Sequence, residues 1–127
     1  MMVRTMESIL TSVKKTLGIT EDYTHFDIDL IMHINTAISI LTQIGVGPPE
    51  GFLINDPGSK WSDWIPEDPL LSSVKSYVYL KVRLLFDPPT GSPAIESINR
   101  LINELEWRIQ VSADQEKNAS KEVIQNG

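Results

Sequence analysis

The chain contains no cysteine among its 127 residues. Disulfides, thiol nucleophiles and thiolate metal ligands are therefore excluded together. This absence suits a protein of a reducing compartment.

Long apolar runs are also absent. No stretch reaches the eighteen or so consecutive apolar residues that a membrane-spanning helix needs, and the N-terminal MMVRTMESILTSVKK has no extended apolar segment of the signal-peptide kind. We expect neither membrane spanning nor export, and we expect a cytoplasmic protein.

Basic residues are scarce in the middle of the chain. Between Ile19 and Leu70 there are nine acidic residues and one basic residue, Lys60, a local balance of −8 in a chain whose net charge is −6. Proteins that grip duplex DNA need clustered Lys or Arg to displace counterions from the phosphates. Strong DNA binding is thus excluded, and two interpretations stay open: an ordinary acidic surface, or a wall along which DNA passes without being held.

Sequence motifs for catalysis and metal binding are missing as well. No segment has the spacing of a nucleophile elbow or a phosphate-binding loop. His25 and His33 are the two histidines, and Asp29 precedes His33 by one helical turn. Two or three such ligands make a weak metal site, so the sequence predicts no enzyme, no metal and no cofactor.

What the sequence does contain is helical periodicity. The spacing of apolar residues predicts four helices, near residues 6–17, 27–44, 69–87 and 93–111. Gly18 is placed to end the first helix, and Asp68 followed by Pro69 is placed to begin the third. Pro88 and Pro89 end the third helix because proline cannot donate the backbone hydrogen bond of a helix interior. We therefore predict a mainly α, four-helix bundle-like fold.

The domain prediction is a single helical unit, residues 1–111, followed by a flexible polar tail, residues 112–127, which has few apolar residues to bury. The second helix, from Ile28 to Ile44, is apolar on most of its sides. Such a helix either lies centrally in the core or is covered by a partner.

Glycines and prolines interrupt the helical pattern after the second helix. The apolar segments on either side of Asn55-Asp56-Pro57-Gly58-Ser59 predict a small β-hairpin at about residues 50–65. Two interpretations stay open: a loop that projects toward DNA or a partner, or a lid in which the two tryptophans cover the core. The candidate residues are Phe52, Asp56, Lys60, Trp61, Asp63 and Trp64.

Two side chains depart from the amphipathic pattern of the last two helices. Lys81 lies within the apolar face of the third helix, so its ammonium must reach solvent or pair with an acid such as Glu104. Trp107 lies opposite the apolar stripe of the fourth helix, which indicates either a second core layer or an interface. The candidate subunit or partner interface is Lys81, Arg83, Arg100, Trp107, Arg108 and Val111.

Several segments carry a resemblance to a known family. They are YVYLKVRLLFDPPTGS from Tyr77, INELEWRI from Ile102, YTHFD from Tyr23, IMHIN from Ile31, and Gly45-Val46-Gly47-Pro48. In this order and spacing the chain resembles the head-tail connector proteins of tailed bacteriophages, over residues 5 to 110.

The resemblance implies a structural role without a reaction or cofactor. It implies a homo-oligomeric ring of about twelve subunits, below the portal protein, that extends the DNA channel and docks a stopper or tail protein. Double-stranded DNA would pass through the ring without specific binding, and no membrane would be involved. The expected locations are the bacterial host cytoplasm during assembly and then the head-tail interface of the virion.

Subunits of a closed ring meet through two different surfaces. The acidic middle segment and a set of bases are candidates for the two sides of that contact: Lys75, Lys81, Arg83, Arg100 and Arg108. The alternative function is a small helical regulatory or chaperone-like protein-binding module that works as a monomer or dimer.

Overall fold

The computed structural model describes residues 7–126, with side chains described as far as residue 119. Over this range the chain forms five helices: α1 Ile9–Leu17, α2 Asp27–Gln43, α3 Trp61–Trp64, α4 Pro69–Phe86 and α5 Ser92–Asn126. The prediction of a mainly helical fold is confirmed. Residues 1–6 of the predicted domain, with the predicted start of the first helix at residue 6, and residue 127 at the end of the predicted tail lie outside the described residues.

Local chemistry sets the ends of the long helices. The hydroxyl of Ser8 accepts a hydrogen bond from the Thr11 amide at 3.2 Å and so caps α1. Gly18 ends the same helix with a left-handed φ of 79°, a conformation that glycine adopts without steric cost. Asp68 caps α4, and Pro69 occupies its first turn. The start of α4 and the end of α1 are as the sequence predicts.

The predicted β-hairpin at residues 50–65 is wrong. The described part of the chain contains no sheet, and the extended backbone at Lys60 pairs with Ser8 through an isolated bridge. Around this bridge, the Ile9 amide donates to the Ser59 carbonyl at 3.0 Å and the Trp61 amide donates to the Glu7 carbonyl at 3.2 Å. The second half of the expected hairpin is thus held by the segment that precedes α1.

The first half of the expected hairpin is held by a side chain instead of a strand. Asn35 on α2 donates to the carbonyl of Ile54 and accepts from its amide, both at 2.9 Å. A carboxylate oxygen of Asp63 accepts from the Lys60 amide at 2.8 Å, which stabilises the first turn of α3. Backbone groups of Ile54 in one segment, and of residues 59–61 in the other, are thus paired with partners other than the facing segment of the expected hairpin.

The last helix is longer than predicted. We placed its end near residue 111, whereas α5 continues to Asn126. Ala113 is 2% exposed, so packing against the body of the protein extends at least two residues past the predicted end. The flexibility of residues 112–127 in solution stays a prediction.

The long helix α4 is the centre of the fold. It lies between α2 and α5, which make little direct contact with each other, and α1 packs across α2 and α4. Val74, Tyr77 and Val78 on α4 are fully buried. Near the end of α4, Val82 is fully buried, whereas Leu85 is 44% exposed.

Candidate functional site

The basic candidates on α4 and α5 engage near neighbours in sequence. Arg83 donates to the carbonyl of Asp87 at 2.8 Å, close to the end of α4. Arg100 donates to the Ser97 hydroxyl at 3.3 Å. Both interactions lie at the surface, so neither ties the side chain strongly to the body of the protein.

Lys81 is half-buried in the position that the helix pattern predicts. Its predicted pairing with Glu104 is not formed, because the Glu104 carboxylate pairs with Arg108 at 2.7 Å, one helical turn away. That pair is exposed on both sides and contributes little to stability. Since Lys81 has no described carboxylate partner within its own chain, two predictions remain: an ammonium that reaches solvent, or a carboxylate partner on another chain.

Trp107 is not a core residue. It is 66% exposed, and it lies about 160° around α5 from the fully buried Ile109. Val111 follows one turn later and is half-buried. We call Trp107 and Val111, with Arg100 and Arg108 beside them, the α5 patch. Part of it borders a groove of about 380 Å³ between α5 and the start of α4.

A second exposed apolar surface lies on α2. Ile28 is 81% exposed, Met32 is 57% exposed, and Leu53, from the loop beside the helix, is 63% exposed. They line a shallow groove of about 620 Å³ together with Ile31 and Ile40. We call Ile28, Met32 and Leu53 the α2 patch. In the sequence, this surface was indicated by the second helix, which is apolar on most of its sides.

Residues 52–64 cover the core more than they project from it. Trp61 is 1% exposed and donates from its ring nitrogen to the Ser12 hydroxyl at 2.9 Å. Trp64 is 5% exposed and stacks on Phe52, with ring centroids 6.0 Å apart. The two tryptophans therefore cover the core, which agrees with the interpretation of this segment as a lid.

The charged members of the same segment, Asp56, Lys60 and Asp63, are exposed. Asp56 accepts from the Gly58 amide at 2.8 Å, which is the hydrogen bond of a local turn. A contact of these side chains with a partner stays a prediction.

The residue that sequence reasoning missed is Lys14. It is 2% exposed, and its ammonium donates to the carbonyls of Glu21 and Tyr23 at 2.9 and 2.6 Å and to the carboxylate of Asp27 at 2.9 Å. These bonds tie α1 to the following loop and to the first turn of α2. The available signal was weak: Lys14 comes one turn after Leu10 and so shares its inward face.

A second inward polar contact joins α4 to α5. The hydroxyl of the buried Tyr77 donates to the Glu106 carboxylate at 2.6 Å. Burial, followed by the hydrogen bond and the negative charge of Glu106, raises the pKa of Tyr77 well above its usual value. The pair fixes the position of α5 along α4.

The two histidines belong to an aromatic cluster near the start of α2. His25 contacts Phe26 with ring centroids 5.0 Å apart, and His33 lies 6.5 Å from Phe86 at the end of α4. No group of three or more His, Asp or Glu side chains in the described range is arranged to hold a metal ion. None of the described helices is both long and apolar enough to cross a membrane.

Comparison with known proteins gives a family match. A family model described as a phage connector protein matches residues 9–116, which include α1 to α4 and most of α5. No curated protein matches the chain. No solved structure matches it either.

Proposed function

We propose that this chain, which belongs to the phage connector protein family, is a structural subunit of the junction between phage head and tail. The family is structural and not enzymatic, so the proposed role involves assembly and no reaction. The corresponding location is the head-tail interface of the virion.

The finer proposal is a closed ring of about twelve identical subunits that lies below the portal protein, extends its channel and docks a stopper or tail protein. The observation that carries it is the exposure of large apolar side chains on two separate helices, with Ile28 81% and Trp107 66% exposed. Exposed apolar surfaces of this kind usually mark a contact with another protein. A ring subunit needs two of them, whereas a simple dimer needs one.

Charge supports the passage of DNA along the ring without binding. The segment between Ile19 and Leu70 has a balance of −8, and its side chains Asp29, Glu50 and Asp56 are exposed. A channel wall with this charge repels the phosphates, so a duplex would slide along it and would not be retained.

Native mass measurement tests the ring directly. The purified chain is measured alone and after mixing with the portal protein of the same phage or prophage. We expect a closed assembly of many copies in the mixture, visible as a ring by electron microscopy. A chain that stays monomeric or dimeric in both samples would contradict the proposal and favour the regulatory or chaperone-like alternative.

Salt dependence tests the electrostatic part of the contact. If acids of one subunit meet bases of the next, raising the salt from about 0.05 M to 0.5 M should weaken the ring markedly, because exposed charges are screened over a few ångströms at high ionic strength. A ring that is indifferent to salt would show that the contact is mainly apolar.

A further inference from the structure

We infer that the α2 patch of one subunit docks on the α5 patch of the next subunit. This inference rests on the proposed function, because it names the two surfaces through which the proposed ring would close. The occupant of each patch is thus a second copy of this chain, presenting the other patch.

The first support is the position of the two patches. α4 separates α2 from α5, and each patch is on the side of its helix that faces away from the core. Met32 lies about 160° around α2 from the fully buried Ile34, and Trp107 lies about 160° around α5 from the fully buried Ile109. The two patches are therefore separate outward-facing surfaces on different helices, and a head-to-tail contact requires two different surfaces of this kind.

The second support is the match between their side chains. The α2 patch is an aliphatic groove, and its lining includes Ile28, Met32 and Leu53 but no charged residue. The α5 patch presents a tryptophan, a side chain common among interface anchors, because it buries a large apolar area in a rigid form. The groove is shallow and open, so an indole can lie across its aliphatic lining.

The third support is charge. Helix α2 contains no lysine or arginine, and Asp29, next to Ile28, is exposed. On α5, Arg108 already pairs with Glu104, whereas the described partner of Arg100 is the neutral Ser97 hydroxyl. Docking the two patches would bring Asp29 and Arg100 into one contact. Docking the α2 patch on a second α2 patch would instead bring two acidic residues together.

Cysteine cross-linking tests the contact, because the chain has no native cysteine. Ser39→Cys places a thiol in the groove of the α2 patch, and Asn103→Cys places one a turn before Trp107; both positions are exposed. The two variants are mixed with a mild oxidant. We expect the mixed disulfide dimer to exceed either homodimer at least fivefold, where random collision would give a twofold excess.

Two controls make the result specific. Ser76→Cys, an exposed position on α4, replaces one of the two partners and should give no excess over random pairing. Adding Trp107→Asp to the Asn103→Cys variant should abolish the excess, and circular dichroism should show unchanged helix content since Trp107 is exposed. Mixed dimers at the random ratio, or no disulfide at all, would overturn the contact.

A second experiment uses the variants Met32→Asp and Trp107→Asp, each of which disables one patch and leaves the other intact. Alone, neither should form assemblies larger than a monomer. Mixed, they should form a complex of one copy each that grows no further, as seen by native mass measurement with the portal protein absent and at high protein concentration. A homodimer of either variant would show self-pairing of one patch and would overturn the proposed contact.

The two proposals fail differently. If the chain forms a ring with the portal protein but the mixed disulfide is not enriched, the ring stands and this contact is wrong. If the mixed disulfide is enriched but no closed assembly forms under any condition, the contact stands and the connector ring is wrong.

Discussion

Replacing Lys14 by methionine tests whether a buried ammonium holds the N-terminal part of the fold together. Methionine keeps the length and apolar stem of the side chain, so the packing around it changes little. The substitution removes the ammonium that donates to two carbonyls and to the Asp27 carboxylate. These acceptors remain in place after the change.

The expected decrease in the free energy of unfolding follows from the acceptors that lose the Lys14 ammonium. Removing one member of a buried ion pair costs about 3–5 kcal/mol, and an unsatisfied buried acceptor costs about 1–3 kcal/mol. The Asp27 side chain is 20% exposed, so water can solvate part of its charge after the substitution. We therefore expect Lys14→Met to lower the free energy of unfolding by about 2–4 kcal/mol.

The neighbouring residue provides a matched control. Lys15 has a side chain 64% exposed, and its pair with Glu7 lies at the surface. Lys15→Met should change the free energy of unfolding by less than about 0.5 kcal/mol. Urea unfolding of both variants, followed by circular dichroism and tryptophan fluorescence, gives the comparison. Equal effects of the two substitutions, or a more stable Lys14→Met protein, would refute the role given to the buried ammonium.

Three further substitutions test other internal contacts. Asn35→Ala should lower the free energy of unfolding by about 2–3 kcal/mol, because it leaves the amide and the carbonyl of the buried Ile54 without their partner. Hydrogen exchange at the Ile54 amide should then be faster than in the parent protein. An unchanged exchange rate would contradict the role given to Asn35. Gly47→Ala should lower the free energy of unfolding by about 1–3 kcal/mol, because φ is +75° there and a Cβ would lie 2.5 Å from the Trp64 ring nitrogen. If urea unfolding shows a decrease of less than about 0.5 kcal/mol, the loop accommodates the methyl group with little strain. Tyr77→Phe should cost about 1 kcal/mol at neutral pH. The pKa of Tyr77 is higher in the folded protein than the value of about 10 in the unfolded chain. The contribution of its hydroxyl to the free energy of unfolding is therefore fully present below about pH 10 and is lost as the pH rises further. The urea midpoint should thus fall more steeply above about pH 10 in the parent protein than in the Phe variant. If the midpoints of the two proteins fall in parallel as the pH rises, the raised pKa of Tyr77 is contradicted.

The helix boundaries that the sequence predicted well depend on neighbouring residues. Gly18 ends α1 because its backbone adopts a left-handed conformation, and Asp68 begins α4 because its carboxylate accepts from the amides of Leu70 and Leu71. Such signals act within one turn, so they are visible in the sequence.

The hairpin was mispredicted because its alternative depends on contacts between distant residues. Phe52-Leu53-Ile54 has the composition of a strand, but the backbone of Ile54 is satisfied by Asn35, nineteen positions earlier in the chain. No local pattern distinguishes an asparagine that pairs with a loop from one that faces water. Tertiary contact overrode β-propensity here.

The candidate site was predicted unevenly for the same reason. Helical geometry placed Trp107 opposite the apolar stripe of its helix but left a core layer and an interface open, and the structure shows the side chain 66% exposed. It indicated that α2 either lies centrally in the core or is covered by a partner, but it could not say that Ile28 and Met32 would remain exposed while Ile34 and Ile38 were buried. That choice depends on the side from which α4 packs against α2.

The central position of α4 has a consequence for assembly. In a closed ring, the angle between the two contact surfaces of a subunit determines how many subunits complete the circle. The α2 patch and the α5 patch belong to helices whose relative placement is set by their packing on α4, through buried residues such as Val78 and through the bond from Tyr77 to Glu106. Substitutions in the α4 core that leave the chain folded should therefore change the number of subunits or prevent closure. Substitutions within either patch should instead weaken association without altering the geometry of the rings that still form.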